Sequence, residues 1–210
     1  RKITFYDKTV RAGKWDPLLG YKTYRITGKT IGLVFFGEIP KKMVPILKAM
    51  GLNILVYAPT KSAEYLAEFG CEKADTLEEL LKKSDFVSLH CPLIPDVTWH
   101  LIGEKELKLM KPEAFLINTA RGSVVDEPAL VKALKEGWIK GAAIDVIEDE
   151  TNEVSDLFEL ENTVITPHAA FVSEDSFYDG RKRCLEQLVM RLSKKVVPTS
   201  LVNKDVEFEF

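Results

Sequence analysis

The chain has 210 residues, 46% of them hydrophobic and 29% charged, which is enough to bury a full core as one large domain. A formal net charge of -3 excludes the basic footprint of a binder of nucleic acid or of anionic membranes. No apolar run approaches the roughly 20 residues that a membrane span needs, and no signal peptide is visible.

Cys71, Cys91 and Cys184 are an odd count without CxxC spacing, which fits a reducing cytoplasm better than a disulfide framework. The chain opens at Arg1, without a methionine, in what reads as a helix, so a fragment of a longer protein is expected. Ile3, Tyr6 and Val10 carry the helical spacing, and Gly13 stops it. The loop "KWDPLLGYKTYRITG" leads to a strand at Thr30 to Phe35. The next helix places Ile39, Met43, Ile46 and Met50 on one face and ends at Gly51, a good left-handed cap, with Pro45 inside it.

Strand "LNILVY" ends at Tyr57, Ser62 to Phe69 reads as a short helix, and Thr76 with Glu79 forms a capping box for "TLEELLKK". Strand Asp85 to His90 follows, then a loop to Gly103, helix "EKELKLM", strand "AFLINT", helix "EPALVKALKEG", and strands "KGAAIDVI" and "TVIT". Ser173 opens a last helix to about Lys195, with Glu174 and Asp175 at the positive end of its dipole. Short apolar strands alternating with helices predict an α/β fold, a doubly wound parallel sheet. The domain reading is a linker helix and arm over 1–24, a Rossmann-type domain over 25–195, and a tail over 196–210 that is a linker remnant or an added strand.

The first strand–helix junction, "TIGLVFFGEIPKKMVPILKAMG", is where a dinucleotide phosphate loop belongs. A working loop reads G-x-G-x-x-G, for a tight turn, a close backbone approach to pyrophosphate and close helix packing. The three positions here are Phe35, Gly37 and Pro40, so only the middle glycine remains.

"SDFVSLHCPL", "LMKPEAFLINTARGSVVDEPALVKALKEGWIKGAAIDVIEDE" and "NTVITPHAAF" resemble the D-isomer-specific 2-hydroxyacid dehydrogenase family, in the right order and over most of the chain. The resemblance implies an oxidoreductase cofactor domain that uses NAD, without the family's substrate domain. It makes Arg121 the grip on the substrate carboxylate, His168 the proton donor and acceptor, and Glu150 the carboxylate that orients it. It sets the dinucleotide against Gly37, Glu38, Ile39, Ala58, Cys91, Pro92, Thr119, Ala120 and Asp145. The residue types suit the chemistry. A ketone reduced by hydride needs a proton near neutral pH, and an arginine fork matches a planar carboxylate.

The family also pairs through this domain, and Trp15, Leu18, Leu19 and Tyr21 make an apolar arm, so a homodimer is expected. Read without the resemblance, Arg121 is a surface residue, His168 caps a turn and Glu150 belongs to a solvated acidic loop.

Departures from the family pattern converge on the cofactor cleft. Phe35 replaces a loop glycine, Glu38 adds negative charge at a helix end meant for phosphate, and Ala58 stands where an acidic group should hold the ribose. Trp99 replaces a usually polar residue, and Thr151 breaks the usual E-x-E-P ending. The expectation is weak NAD binding or none. An alternative is a scaffold remade by engineering or evolution, its cleft lined by Phe35, Phe36, Trp99 and Phe171 to take an apolar small-molecule ligand or a protein. Against that stands ordinary strand-end packing of Phe35 and Phe36. A third reading is a new activity based on Cys91, His168 or Glu38, with a buried structural thiol as the plainer account of Cys91. His90, His100 and His168 have no metal-ligand spacing, so no metal site is expected.

Overall fold

The computed structural model describes residues 2–19, 23–152, 154–194 and 197. The chain divides into two units, Arg1–His168 and Ala169–Phe210. In the first, β1 (Thr30–Val34), β2 (Asn53–Tyr57), β3 (Glu72–Lys73), β4 (Phe86–Leu89), β5 (Phe115–Asn118), β6 (Gly141–Ile144) and β7 (Thr163–Ile165) form one sheet. Its order is β3-β2-β1-β4-β5-β6-β7, and every pairing is parallel. The helices of this unit are α1 (Ile3–Arg11), α2 (Glu38–Ala49), α3 (Ala63–Glu68), α4 (Leu77–Lys83), α5 (Pro95–Thr98), α6 (Glu104–Leu109) and α7 (Glu127–Glu136). The second unit holds α8 (Glu174–Lys194), whose first turn is capped as expected, Ser176 N–H donating to Ser173 Oγ at 3.0 Å. Tyr21, Lys195 and the tail at 196 and from 198 onward lie outside the described residues.

Alternation along the strands splits the core in two. Ile31 and Leu33 of β1 and Ile54 and Val56 of β2 point to a cluster shared with Val44 and Leu47 of α2 and Leu66 of α3. Val34 and Leu55 point the other way, to a larger cluster with Leu80 and Leu81 of α4, Leu107 of α6 and Leu130 and Leu134 of α7. Helices therefore cover both faces, and the sheet is doubly wound. Gly32 shows how closely α4 docks: a Cβ there would stand 2.5 Å from Leu80 Cδ2 and 2.3 Å from Ser84 Oγ. The capping box of α4 is modified, because Glu79 accepts from the Asp75 amide while its own N–H donates to Thr76 Oγ1.

One expectation about α2 is reversed. Its buried residues are Pro40, Val44 and Leu47, whereas Ile39, Ile46 and Met50 are exposed. Of the apolar stripe read from spacing only Met43 packs on the smaller core and the rest faces away from the sheet, because α2 is anchored by the residues that meet β1 and β2. Pro45 is on the exposed side, and the helix continues through it. Four short elements among the described residues escaped periodicity, β3, α5 and the 3-10 helices Gly122–Val124 and Asp156–Glu159, each too short to show a repeat. Among the described residues no helix is long and apolar enough to cross a membrane.

Candidate active site

In a parallel sheet all strands end on one edge, and the order reverses between β1 and β4, the usual place for a ligand crevice. Each candidate residue of the first unit follows a strand on that edge or opens the helix beyond it. Phe35 and Gly37 follow β1, Ala58 follows β2, Cys91 and Pro92 follow β4, and Thr119, Ala120 and Arg121 follow β5. Asp145 and Glu150 follow β6, and His168 follows β7.

The phosphate loop keeps a glycine-like backbone without its first glycine. Phe35 has φ 71°, in the left-handed region, and its N–H donates to the Tyr57 carbonyl at 2.7 Å. That conformation is strained for a side chain with a Cβ. The ring is half-buried and leans on the larger core. Gly37 opens α2 with nothing within 4 Å of a would-be Cβ, and Glu38 and Ile39 follow it, both exposed. Pro40 is buried in the first turn, where it removes one of the amides a helix start offers to an anion. Ala58 is buried, 3% exposed.

Of the proposed aromatic lining, Phe36 is turned into a core. Phe36 is 4% exposed and packs against Tyr65 and Phe69 in the smaller core, so it is strand-end packing and faces no cleft. Trp99 is exposed and stacks on His100, ring centroids 4.8 Å apart. Phe171 belongs to the second unit, against Phe177. Cys91 is 2% exposed, and burial pushes its thiol up to about 11, so it is protonated at neutral pH and a poor nucleophile. Pro92 is exposed, and its carbonyl accepts from Thr98 Oγ1, a buried hydroxyl that holds the loop after β4 in place.

His168 and Glu150 are brought together, Nδ1 to Oε2 at 2.9 Å. They line a cavity of about 640 Å³ with Asp145, Ile147, Phe158, Ile165, Thr166 and Pro167. The turn carrying Glu150 is tied by Asp149, whose carboxylate accepts from the Thr151 amide and hydroxyl and from Asn152. Thr151 thus takes a structural role in place of the usual ending. His168 has φ 50°, its N–H donating to the Asp145 carbonyl at 2.7 Å. Left-handed residues other than glycine gather at functional sites, and histidine tolerates the region better than most. Asp145 is buried and accepts a hydrogen bond from Thr166 Oγ1.

Arg121 does not line this cavity. It is exposed, and Nη1 donates to the Ala120 carbonyl at 2.6 Å; Thr119 beside it is exposed too. Its backbone is nevertheless held firmly. Asn118 accepts from the Ala120 amide and donates to the Arg121 carbonyl. Gly122, next in the chain, lies so close to the exit of β6 that a Cβ would stand 1.8 Å from the Ile147 oxygen and 2.6 Å from the Glu148 nitrogen. Gly122→Ala is expected to lower stability by about 2–3 kcal/mol and the melting temperature by about 5–10 °C. Thermal unfolding within about 2 °C of the parent would show that the two loops part without cost.

Sequence reasoning missed a second pair. His100 Nε2 meets Glu148 Oε1 at 2.7 Å, with Asp126 Oδ2 3.9 Å from Nδ1, and His100 too is left-handed. Only tertiary contact shows it, because His100 and Glu148 are far apart in sequence. His90 stands apart from both pairs. Burial holds it down to about 4, and its Nε2 lies 3.0 Å from Ser88 Oγ. The unfolded chain takes up this proton near pH 6.5 and the folded chain only near 4, so stability falls as pH drops through that window. The loss amounts to as much as about 3 kcal/mol. His90→Gln should flatten the change in urea midpoint between about pH 7 and 4.5, and an unaltered slope would count against it. Among the described residues no group of three or more His, Cys, Asp or Glu is placed to hold a metal ion.

Residues 1–170 match the sequence profile of the D-isomer specific 2-hydroxyacid dehydrogenase NAD binding domain. The chain is 45% identical to a glyoxylate reductase of Thermococcus litoralis over 213 residues, covering 98% of this chain and 63% of that protein. In fold it is similar to a D-isomer specific 2-hydroxyacid dehydrogenase from Lactobacillus delbrueckii ssp. bulgaricus in its NAD complexed form. There the TM-score is 0.83 at 34% identity, over 95% of this chain and 64% of that one. An acyclic imino acid reductase in complex with NADPH and D-Arg is similar too, with TM-score 0.84 at 33% identity over 96% of this chain and 63% of that one. The chain thus spans a little under two thirds of the relatives it matches, and it belongs to the D-isomer specific 2-hydroxyacid dehydrogenase family, as the NAD-binding domain.

Proposed function

We propose that this chain is the cofactor and proton-transfer half of a dehydrogenase that passes hydride between a nicotinamide dinucleotide and a small 2-oxo acid such as glyoxylate. The observation that carries the reading is the His168–Glu150 pair, 2.9 Å apart in a cavity at the ligand edge of the sheet. Glu150 orients the imidazole, and His168 hands a proton to the alkoxide as hydride arrives. Arg121, exposed on its pinned loop, is free of the cavity wall and reaches a substrate carboxylate by a side-chain rotation. Phe35, Glu38 and Ala58 leave NAD held more weakly than a complete loop and ribose carboxylate would hold it. The test is consumption of reduced dinucleotide by the protein that carries this chain, with glyoxylate added. No glyoxylate-dependent consumption with NADH or with NADPH would overturn the reading.

Trp15 and Leu18, 87% and 85% exposed, support a second copy of the chain as partner. Light scattering should return a dimer mass, and a monomer at high concentration would refute it.

A further inference from the structure

Ala58 leaves the end of β2 without the carboxylate that accepts hydrogen bonds from the adenosine ribose of NADH and repels a phosphate there. What gathers around that point is positive. The hydrogen bond from Phe35 to Tyr57 sets the loop after β1 beside the residues that follow β2. Lys41, from α2, and Lys61, from the loop after β2, converge on one ring: their Nζ atoms lie 5.9 and 5.1 Å from the Tyr65 centroid. Lys41 also pairs with Glu38 at 2.7 Å. The hydrogen bond from Lys41, followed by the charges of Lys41, Lys42 and Lys61, holds the Glu38 carboxyl below its ordinary range. Three lysines thus bear on one exposed carboxylate, Lys41 by direct contact and Lys42 and Lys61 through their charge. The charge that looked hostile to phosphate in the sequence is outnumbered in the structure.

We propose that the dinucleotide taken by this cleft is NADPH, its 2′-phosphate held between Lys41 and Lys61 at the end of β2. The inference rests on the reading of the cleft as a nicotinamide site and names which nicotinamide it takes. A phosphate monoester carries most of two negative charges at neutral pH, so it gains from each ammonium it meets, whereas a ribose hydroxyl gains little. Lys41 divides itself between Glu38 and the phosphate. Lys61 holds its Nζ over the ring face, a contact that uses up no carboxylate partner, so its donors are open to the ligand and Lys61 should supply the larger share. The buried Ala58 methyl presents nothing to oppose it.

Fluorescence titration with NADPH and NADH tests this, supported by calorimetry with adenosine bearing both 2′- and 5′-phosphates against adenosine bearing the 5′-phosphate alone. NADPH should bind roughly ten- to a hundredfold more tightly than NADH. The bisphosphate should lead its counterpart by a similar factor, and added salt should shrink both differences. Lys61→Ala should remove most of the preference while moving NADH far less, and Lys61→Arg should keep it. NADH bound as tightly as NADPH would overturn the inference and leave the nicotinamide site standing. Failure of both dinucleotides to bind would remove the inference and the functional reading together.

Discussion

Replacing Phe35 by glycine and Ala58 by aspartate in one protein should strengthen NADH binding by roughly two to three decades, about 3–4 kcal/mol. Two separate causes add. An aspartate at the end of β2 restores charge-assisted hydrogen bonds to the ribose, worth about 1.5–3 kcal/mol. A glycine at 35 lets the backbone come up to the pyrophosphate. The backbone needs no rearrangement for this, because Phe35 already holds the left-handed conformation at φ 71°. Glycine takes that conformation freely, relieving about 1–2 kcal/mol of strain and offsetting a similar loss from the half-buried ring. The melting temperature should therefore change little.

A carboxylate introduced at position 58 starts from a buried Cβ, so Ala58→Asp alone should destabilise the unliganded protein and recover stability when NADH is added. It should also weaken NADPH. Fluorescence titration and thermal shift with both dinucleotides check all of this. Micromolar NADH binding by the unaltered chain would show that the cleft was never impaired.

His168→Asn should lower the turnover number of 2-oxo acid reduction by about 10²–10⁴-fold while leaving dinucleotide affinity within about twofold. Asparagine is chosen because it accepts the left-handed backbone that His168 holds at φ 50°, so the loop after β7 keeps its shape. Its amide keeps a donor for Glu150 but has no proton to give an alkoxide. Glu150→Gln should cost less, because the imidazole remains and loses only its orientation. Steady-state rates with saturating dinucleotide separate these outcomes from a binding defect. Turnover within tenfold of the parent for His168→Asn would mean that another group supplies the proton.

Much of this was legible in the chain itself. Strands and helices alternate with clear periods, so the parallel sheet and the edge that carries Arg121, Glu150 and His168 follow from the sequence alone. The pairing of His168 with Glu150 followed from motif, and the sheet brings the two together because β6 and β7 are neighbours in register. Family membership rests on long motifs in order, which no folding detail alters.

Other properties belong to the tertiary structure, because they depend on which way a side chain turns and what lies across from it. Helical spacing put Ile39, Met43, Ile46 and Met50 on the apolar face of α2, and only docking against β1 and β2 selects Pro40, Val44 and Leu47 instead. Phe35 and Phe36 are adjacent in sequence yet serve opposite cores, since successive residues leaving a strand face opposite sides of the sheet. Glu38 reads from its own identity as a charge against phosphate. Its charge is offset in part by lysines that α2 and the loop after β2 bring to the same ring. Composition and spacing determine which elements form and on which edge the chemistry stands, because those depend on local periodicity. The electrostatics of the cleft depend on distances between residues remote in sequence, and those exist only once the sheet has closed them.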